Sequence, residues 1–133
     1  MFEFLEHLMK DFECIIYTTE KKEIALALKK YFQRKKKWLK YFLDETHCLE
    51  GLLPWSCKSL EYLTPGRGIE NILLVDDKIG SFCLHMENSL PIQQYDGSST
   101  DSLLPKLSKF LELIKSSSSI PSIIKPYLTN ILS

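Results

Sequence analysis

Nothing in these 133 residues directs the chain across or into a membrane. A run of about 20 apolar residues, the length that spans a bilayer, is missing. Glu3, Glu6 and His7 interrupt the apolar residues of the amino terminus, against both a secretory signal and a mitochondrial transit sequence. Cys-x-x-Cys spacing is missing too. Cys14, Cys48, Cys57 and Cys83 stand apart in mostly apolar surroundings and read as reduced, buried thiols, not a disulfide frame or a zinc knuckle. Surplus charge of either sign is also lacking: 17 Lys and Arg face 17 Asp and Glu. That balance argues against a globally basic nucleic-acid binder and against an acidic tail, so direct nucleic-acid binding is not expected. Internal repeats are absent, and so is any Asp-x-Asp pair. Phe42-Leu-Asp-Glu-Thr-His47 therefore cannot supply an aspartyl nucleophile motif, which needs two aspartates flanking one residue. These absences leave a nuclear or cytoplasmic protein.

What is present suffices for a core. Hydrophobic residues make up 44% of the chain, with seven Phe, six Tyr and two Trp, which fits one domain. Its organising stretch is Gly68 to Gly80. There Ile72 to Val75 reads as a strand buried on both faces of a parallel sheet, followed at its carboxyl end by Asp76 and Asp77. Ligands of open α/β sheets gather beyond the carboxyl ends of strands, so adjacent acids there are placed to hold a cation or carry protons. An ordinary Asp-Asp-Lys turn uses the same residues.

Around that stretch the chain alternates. Phe2, Leu5, Leu8, Met9 and Phe12 give an amphipathic helix, and Phe12 to Tyr17 a compact strand that ends in Thr18-Thr19. A second helix carries Ile24, Ala25, Leu28, Tyr31 and Phe32 as its inward stripe and runs into a basic stretch ending at Lys40. Those cations read as a solvated face, with a nuclear-localisation signal or a phosphate-contacting patch as the sharper alternative. Gly51 to Trp55 suggests a short strand. Lys58 by itself reads as a surface lysine, which only its position relative to other sites could promote. Pro65-Gly66 marks a turn, Phe82 to His85 and Leu90 to Ile92 read as late strands, and His85, without a partner at metal-ligand spacing, reads as structural. A helix is expected from Asp101 to Lys115, with Leu103, Leu104, Leu107, Phe110, Leu111 and Ile114 on one face. The domain thus occupies residues 1–115. Residues 116–133 follow as a Ser-rich linker and an apolar tail able to dock on the domain or on a partner.

In this order the pieces resemble the small C-terminal-domain phosphatases, the NLI-interacting-factor-like phosphatases of the haloacid dehalogenase superfamily. The resemblance is carried by Phe12-Glu-Cys-Ile-Ile-Tyr-Thr18, Leu43 to Cys48, Lys58-Ser-Leu60, Ile72-Leu-Leu-Val-Asp-Asp77 and Glu87-Asn-Ser-Leu-Pro-Ile92. It implies an α/β fold, a parallel-sheet haloacid-dehalogenase-like (Rossmann-like) domain. It also implies a magnesium-dependent reaction on phosphoserine or phosphothreonine protein segments, such as the RNA polymerase II C-terminal domain, through a phospho-aspartyl enzyme. Carried over by position, Thr18 would hydrogen-bond the phosphoryl group and Lys58 would neutralise it. Asp77 would be a magnesium ligand, with Asp76 beside it shaping that shell.

The family's nucleophile and acid/base partner lie in an Asp-x-Asp-x-Thr motif on a first strand, upstream of the strand ending at Thr18. Only seventeen residues precede Thr18 here, so the expectation is a domain truncated at its N-terminus and without turnover. In the family fold that strand lies between those ending at Thr18 and Asp76, and its loss would expose sheet edges that a protein partner could cover. Three readings follow: a fragment of an active phosphatase; a pseudophosphatase that binds a partner; or a relative of the peptide-binding receptor of the mitochondrial presequence translocase. The last would sit in the mitochondrial inner membrane if N-terminal segments are missing. The Asp76-Asp77 pair favours phosphatase ancestry.

Overall fold

A computed structural model describes residues 2–35, 41–49, 57–82, 84–98 and 102–132. Residues 36–40, the last part of the basic stretch Lys29 to Lys40, and the segment 51–55 expected as a short strand or hairpin arm lie outside them. Helices and short strands alternate: α1 (Phe2–Leu8), β1 (Ile16–Tyr17), α2 (Lys22–Lys35), β2 (Phe42–Leu43), β3 (Cys48–Leu49), β4 (Cys57–Lys58), β5 (Leu74–Asp76), β6 (Ser89–Pro91), α3 (Leu103–Lys115) and α4 (Ile120–Leu132). This is an α/β chain with small parallel sheets. β1 pairs in parallel with β2 (Ile16 with Phe42, Tyr17 with Leu43), and β5 in parallel with β6 (Leu74 with Ser89, Val75 with Leu90, Asp76 with Pro91). The pair β3–β4 is antiparallel. Among the described residues each sheet has two strands.

The expected strands form where they find a partner. Phe12 to Tyr17 was to be one strand, yet only Ile16 and Tyr17 join a ladder, because β2 offers two residues to pair with. Phe12 packs instead against the main core. Phe82 closes a 3-10 turn (Ile79–Phe82) and is not in a strand. The late strand forms at Ser89–Pro91, after a second 3-10 turn at Met86–Asn88. Asn88 explains how it is placed: the buried side-chain amide donates to the carbonyls of Ile69 (2.7 Å) and Ile72 (3.1 Å), tying the entry of β6 to the approach to β5. The Pro65-Gly66 turn is as expected, with Gly66 at φ +81° and the Arg67 N–H donating to the Thr64 carbonyl at 3.0 Å.

The principal core gathers Leu90, Leu107, Leu111, Ile114, Ile120 and Ile124, with Phe4, Leu8, Leu73 and Val75 packed on it. Residues 120–132, read as a tail, are thus a helix docked on the domain. A smaller cluster joins Leu5 of α1 to Phe32 of α2, with Ile16 and Phe42 beside them. On α2 only Ala25 and Phe32 are buried, and Ile24 and Tyr31, expected inside, are about half exposed. Cys14 and Cys48 are reduced thiols outside any disulfide. Cys57, by contrast, is disulfide-bonded, which corrects the reading of four reduced thiols: bridged cysteines meet through the fold and need no short spacing in sequence. Cys83 lies outside the described residues.

Candidate functional site

The site is built on the last residues of β1, β4 and β5. Lys58 ends β4 and is buried, and its ammonium forms an ion pair with the carboxylate of Asp76, the last residue of β5. Both side chains are only 9% exposed. The second Asp76 oxygen accepts the N–H of Lys78 at 2.9 Å. Burial alone would push the Asp76 carboxyl up. The bond to Lys58, the Lys78 amide and the lysine's charge outweigh it and hold the group below the usual aspartate range. Asp76 is therefore ionised at neutral pH and is the counter-ion of Lys58.

Tyr17 ends β1, and the Lys58 ammonium lies 5.5 Å from its ring centroid, within cation–π range. The ring is fixed by its hydroxyl, which accepts the Ser59 N–H at 3.0 Å and donates to the His47 carbonyl at 2.5 Å. Burial raises the Tyr17 phenol well above its ordinary value, so it stays a neutral donor. The His47 carbonyl is in turn delivered by a capped turn. Asp44 Oδ1 accepts the Thr46 N–H at 2.9 Å, and His47 Nδ1 accepts the Asp44 N–H at 3.0 Å, closing the 3-10 turn Glu45–His47. Asp-Glu-Thr-His is thus a capping sequence.

A cavity of about 1140 Å³ opens at the carboxyl ends of β5 and β6, between α1 and α3. Glu3, Lys58, Asp76 and Asp77 are its charged residues, and Phe4, Val75, Ile92, Leu103 and Leu104 form an apolar wall. The structure thus gathers three of the four expected site residues. Thr18 is not among the residues lining the cavity. It directly follows Tyr17; its N–H donates to the Leu43 carbonyl at 3.0 Å, and its hydroxyl accepts the Glu20 N–H at 3.1 Å on the approach to α2. Sequence reasoning missed Tyr17, and also Glu3, His7 and Tyr95 at the cavity. The one available signal for Tyr17 was its place at the end of the same strand as Thr18.

Magnesium prefers hard oxygen donors and keeps several waters, so one or two carboxylates together with a phosphate suffice. Asp76 and Asp77 fit that donor chemistry, and Asp77 is exposed to the cavity. Among the described residues no group of three or more His, Cys, Asp or Glu gathers as a metal cage.

Residues 1–121 match the family described as NLI interacting factor-like phosphatase. A 111-residue stretch is 32% identical to CTD small phosphatase-like protein 3 of Caenorhabditis elegans, covering 84% of this chain and 38% of that protein. The chain therefore spans less than two fifths of the length of this curated relative. With a match over most of its residues, and with the Lys58–Asp76 pair joining two of the segments that carry the likeness, the chain belongs to the NLI interacting factor-like phosphatase family.

Proposed function

We propose that this chain forms the phosphate-recognising part of a magnesium-dependent protein serine/threonine phosphatase and, as these 133 residues stand, does not turn substrate over. One observation carries the reading: a buried ammonium, Lys58, held at the carboxyl end of β5 beside Asp76 and against the Tyr17 ring. A compact cation at a strand's carboxyl rim suits a phosphoryl group. The segment bound is a phosphoserine or phosphothreonine stretch of a protein, with the RNA polymerase II C-terminal domain as the candidate substrate. Lys58 takes the phosphoryl charge, and the Thr18 hydroxyl, which accepts the Glu20 N–H and keeps its own O–H to donate, would have to move toward the cavity to meet the same group. Asp77, with Asp76 beside it, holds magnesium, which when bound adds positive charge against the phosphate. None of the 133 residues forms an Asp-x-Asp pair, so the group that would attack phosphorus is not supplied here.

The experiment is an assay of the 133-residue chain on p-nitrophenyl phosphate with magnesium, beside a titration of a phosphoserine peptide against its unphosphorylated twin. The outcome expected is no turnover and tighter binding of the phosphorylated peptide. Robust hydrolysis that Lys58→Ala and Asp77→Asn both abolish would overturn the inactive reading. Equal or undetectable affinity for the two peptides would remove the phosphate site.

A second reading, a pseudophosphatase that acts by binding a protein partner, is favoured by the two-stranded sheets. β1 and β5 each pair on one side among the described residues, and an extended partner segment could pair with the other side. The Asp76-Asp77 sequence supports either of these over a presequence-receptor relative. No helix among the described residues is long and apolar enough to cross a membrane. A nuclear or cytoplasmic location is part of the proposal and follows from the phosphatase reading.

A further inference from the structure

Three elements meet at one oxygen. Tyr17 ends β1, His47 precedes β3 and Ser59 follows β4, and among the described residues no backbone ladder joins β1 to the β3–β4 pair. The Tyr17 hydroxyl spans that gap. It accepts the Ser59 N–H at 3.0 Å and gives its single proton to the nearer of two carbonyls, His47 at 2.5 Å and not Ser59 at 3.2 Å. Cys48 pairs with Lys58 in the antiparallel ladder, so His47 and Ser59 are the next residues outward, where a direct bond from the Ser59 N–H to the His47 carbonyl would continue it. The phenol oxygen is inserted at that rung.

Lys58 belongs to the last rung before the insertion. Take the oxygen away, and the Ser59 N–H must either reach the His47 carbonyl directly, drawing the end of β4 toward β3, or go unpaired in a buried place, which costs more than the bond contributes. Either outcome moves Lys58 relative to Asp76 on β5, the carboxylate that holds its ammonium. The ring of the same tyrosine lies 5.5 Å from that ammonium. One side chain thus sets the lysine at both ends, the backbone through its oxygen and the cation through its ring. Tyr17 itself is not among the residues lining the cavity, so it acts on a bound anion through Lys58. We infer that Tyr17 is a positioning residue for phosphate binding: its hydroxyl, inserted between His47 and Ser59, sets where Lys58 presents its ammonium to the anion. The inference rests on the phosphate-site reading above, and it deepens that reading by naming the group that holds the cation in place.

The test is heteronuclear NMR on the 133-residue chain with its lysines labelled at Cε, titrated with inorganic phosphate at fixed magnesium concentration and ionic strength. Tyr17→Phe keeps the ring and removes only the oxygen. In this variant the Lys58 signal should stand at a changed position before any phosphate is added, with the signals of exposed lysines unmoved. Phosphate should then bind about fivefold more weakly than to the unaltered chain, the equivalent of one net hydrogen bond. A tyrosine that served only the stability of the fold would lower the melting temperature and move neither quantity. An unmoved Lys58 signal or an unchanged phosphate affinity would therefore overturn the inference while leaving the phosphate site standing. If phosphate does not move the Lys58 signal of the unaltered chain, the phosphate-site reading fails and takes this inference with it. Should Tyr17→Phe fail to fold, the Ser59 amide of the unaltered chain decides: its exchange with solvent should slow when phosphate saturates Lys58, and an unchanged rate would overturn the inference.

Discussion

At the scale of single residues the molecule turns on the pair Lys58 and Asp76, whose side chains are 9% exposed. Two charges taken out of water are held by each other, so removing one leaves the other uncompensated. Lys58→Ala should therefore destabilise the fold by about 3 kcal/mol, the lower end of the range for broken buried pairs. Lys58→Met combined with Asp76→Leu should lose less than that, since both charges go and apolar volume remains. Urea melts of the three proteins decide it, and a double variant weaker than Lys58→Ala would show that the charges themselves stabilise. The same pair sets an acid limit. Asp76 is depressed in the folded chain, so its contribution is fully present above the ordinary aspartate value and is lost as pH falls through the lower folded value, below about pH 4. Asp44, held low chiefly by the Thr46 hydroxyl, adds a slope of the same sign. Asp76→Asn keeps that slope and loses the other, so its unfolding free energy should fall less steeply below about pH 4. A parallel fall in both proteins would mean that the pair adds no pH dependence.

At the scale of elements, helix α4 shows where sequence patterning ran out. Four serines, Ser116 to Ser119, and two prolines, Pro121 and Pro126, mark residues 116–133 as linker and tail. Yet Ile120 and Ile124, one turn apart, are buried in the cluster of Leu107, Leu111 and Ile114, with Ile124 only 1% exposed. Burial of such side chains contributes about 1.5–3 kcal/mol each, enough to offset the loss of one helical hydrogen bond at Pro126. Ile124→Ala should then cost about 3 kcal/mol by transfer and cavity terms together; thermal melts would show it, and a change no larger than that of exposed Ser122→Ala would mean α4 is not docked. Helix α3 was legible because six apolar residues recur on one face. The apolar spacing of α2 overstates its inward stripe: Phe32 packs with Leu5 and Phe42 and Ala25 is buried, whereas Ile24 and Tyr31 stay about half exposed. At the site, Asp76 and Asp77 could be found as acids after an apolar run. The pairing of Lys58 with Asp76, 18 residues apart, could not, since nothing local in the sequence distinguishes Lys58 from a surface lysine.

At the scale of the whole molecule, stability is unevenly placed. The largest cluster joins α3, α4 and β6, whereas β1 and β2 meet over two residues each and two-stranded pairing is marginal by itself. Parallel strands are ordinarily buried within larger sheets covered on both faces, a condition that the described pairs β1–β2 and β5–β6 do not meet. Native-state hydrogen exchange should accordingly find the slowest amides in α3, with β1 and β2 opening well before global unfolding. An extended strand supplied by fusion ahead of Met1, with alternating apolar residues, should pair between β1 and β5 if the family's sheet order holds here. Protection would then rise at Tyr17 and Val75 while α4, which packs on the Met86–Asn88 turn, keeps its rates. Slow exchange throughout β1 and β2 without such a strand would show that these short pairs are stable as they stand, and the case for an edge-covering partner would go with it.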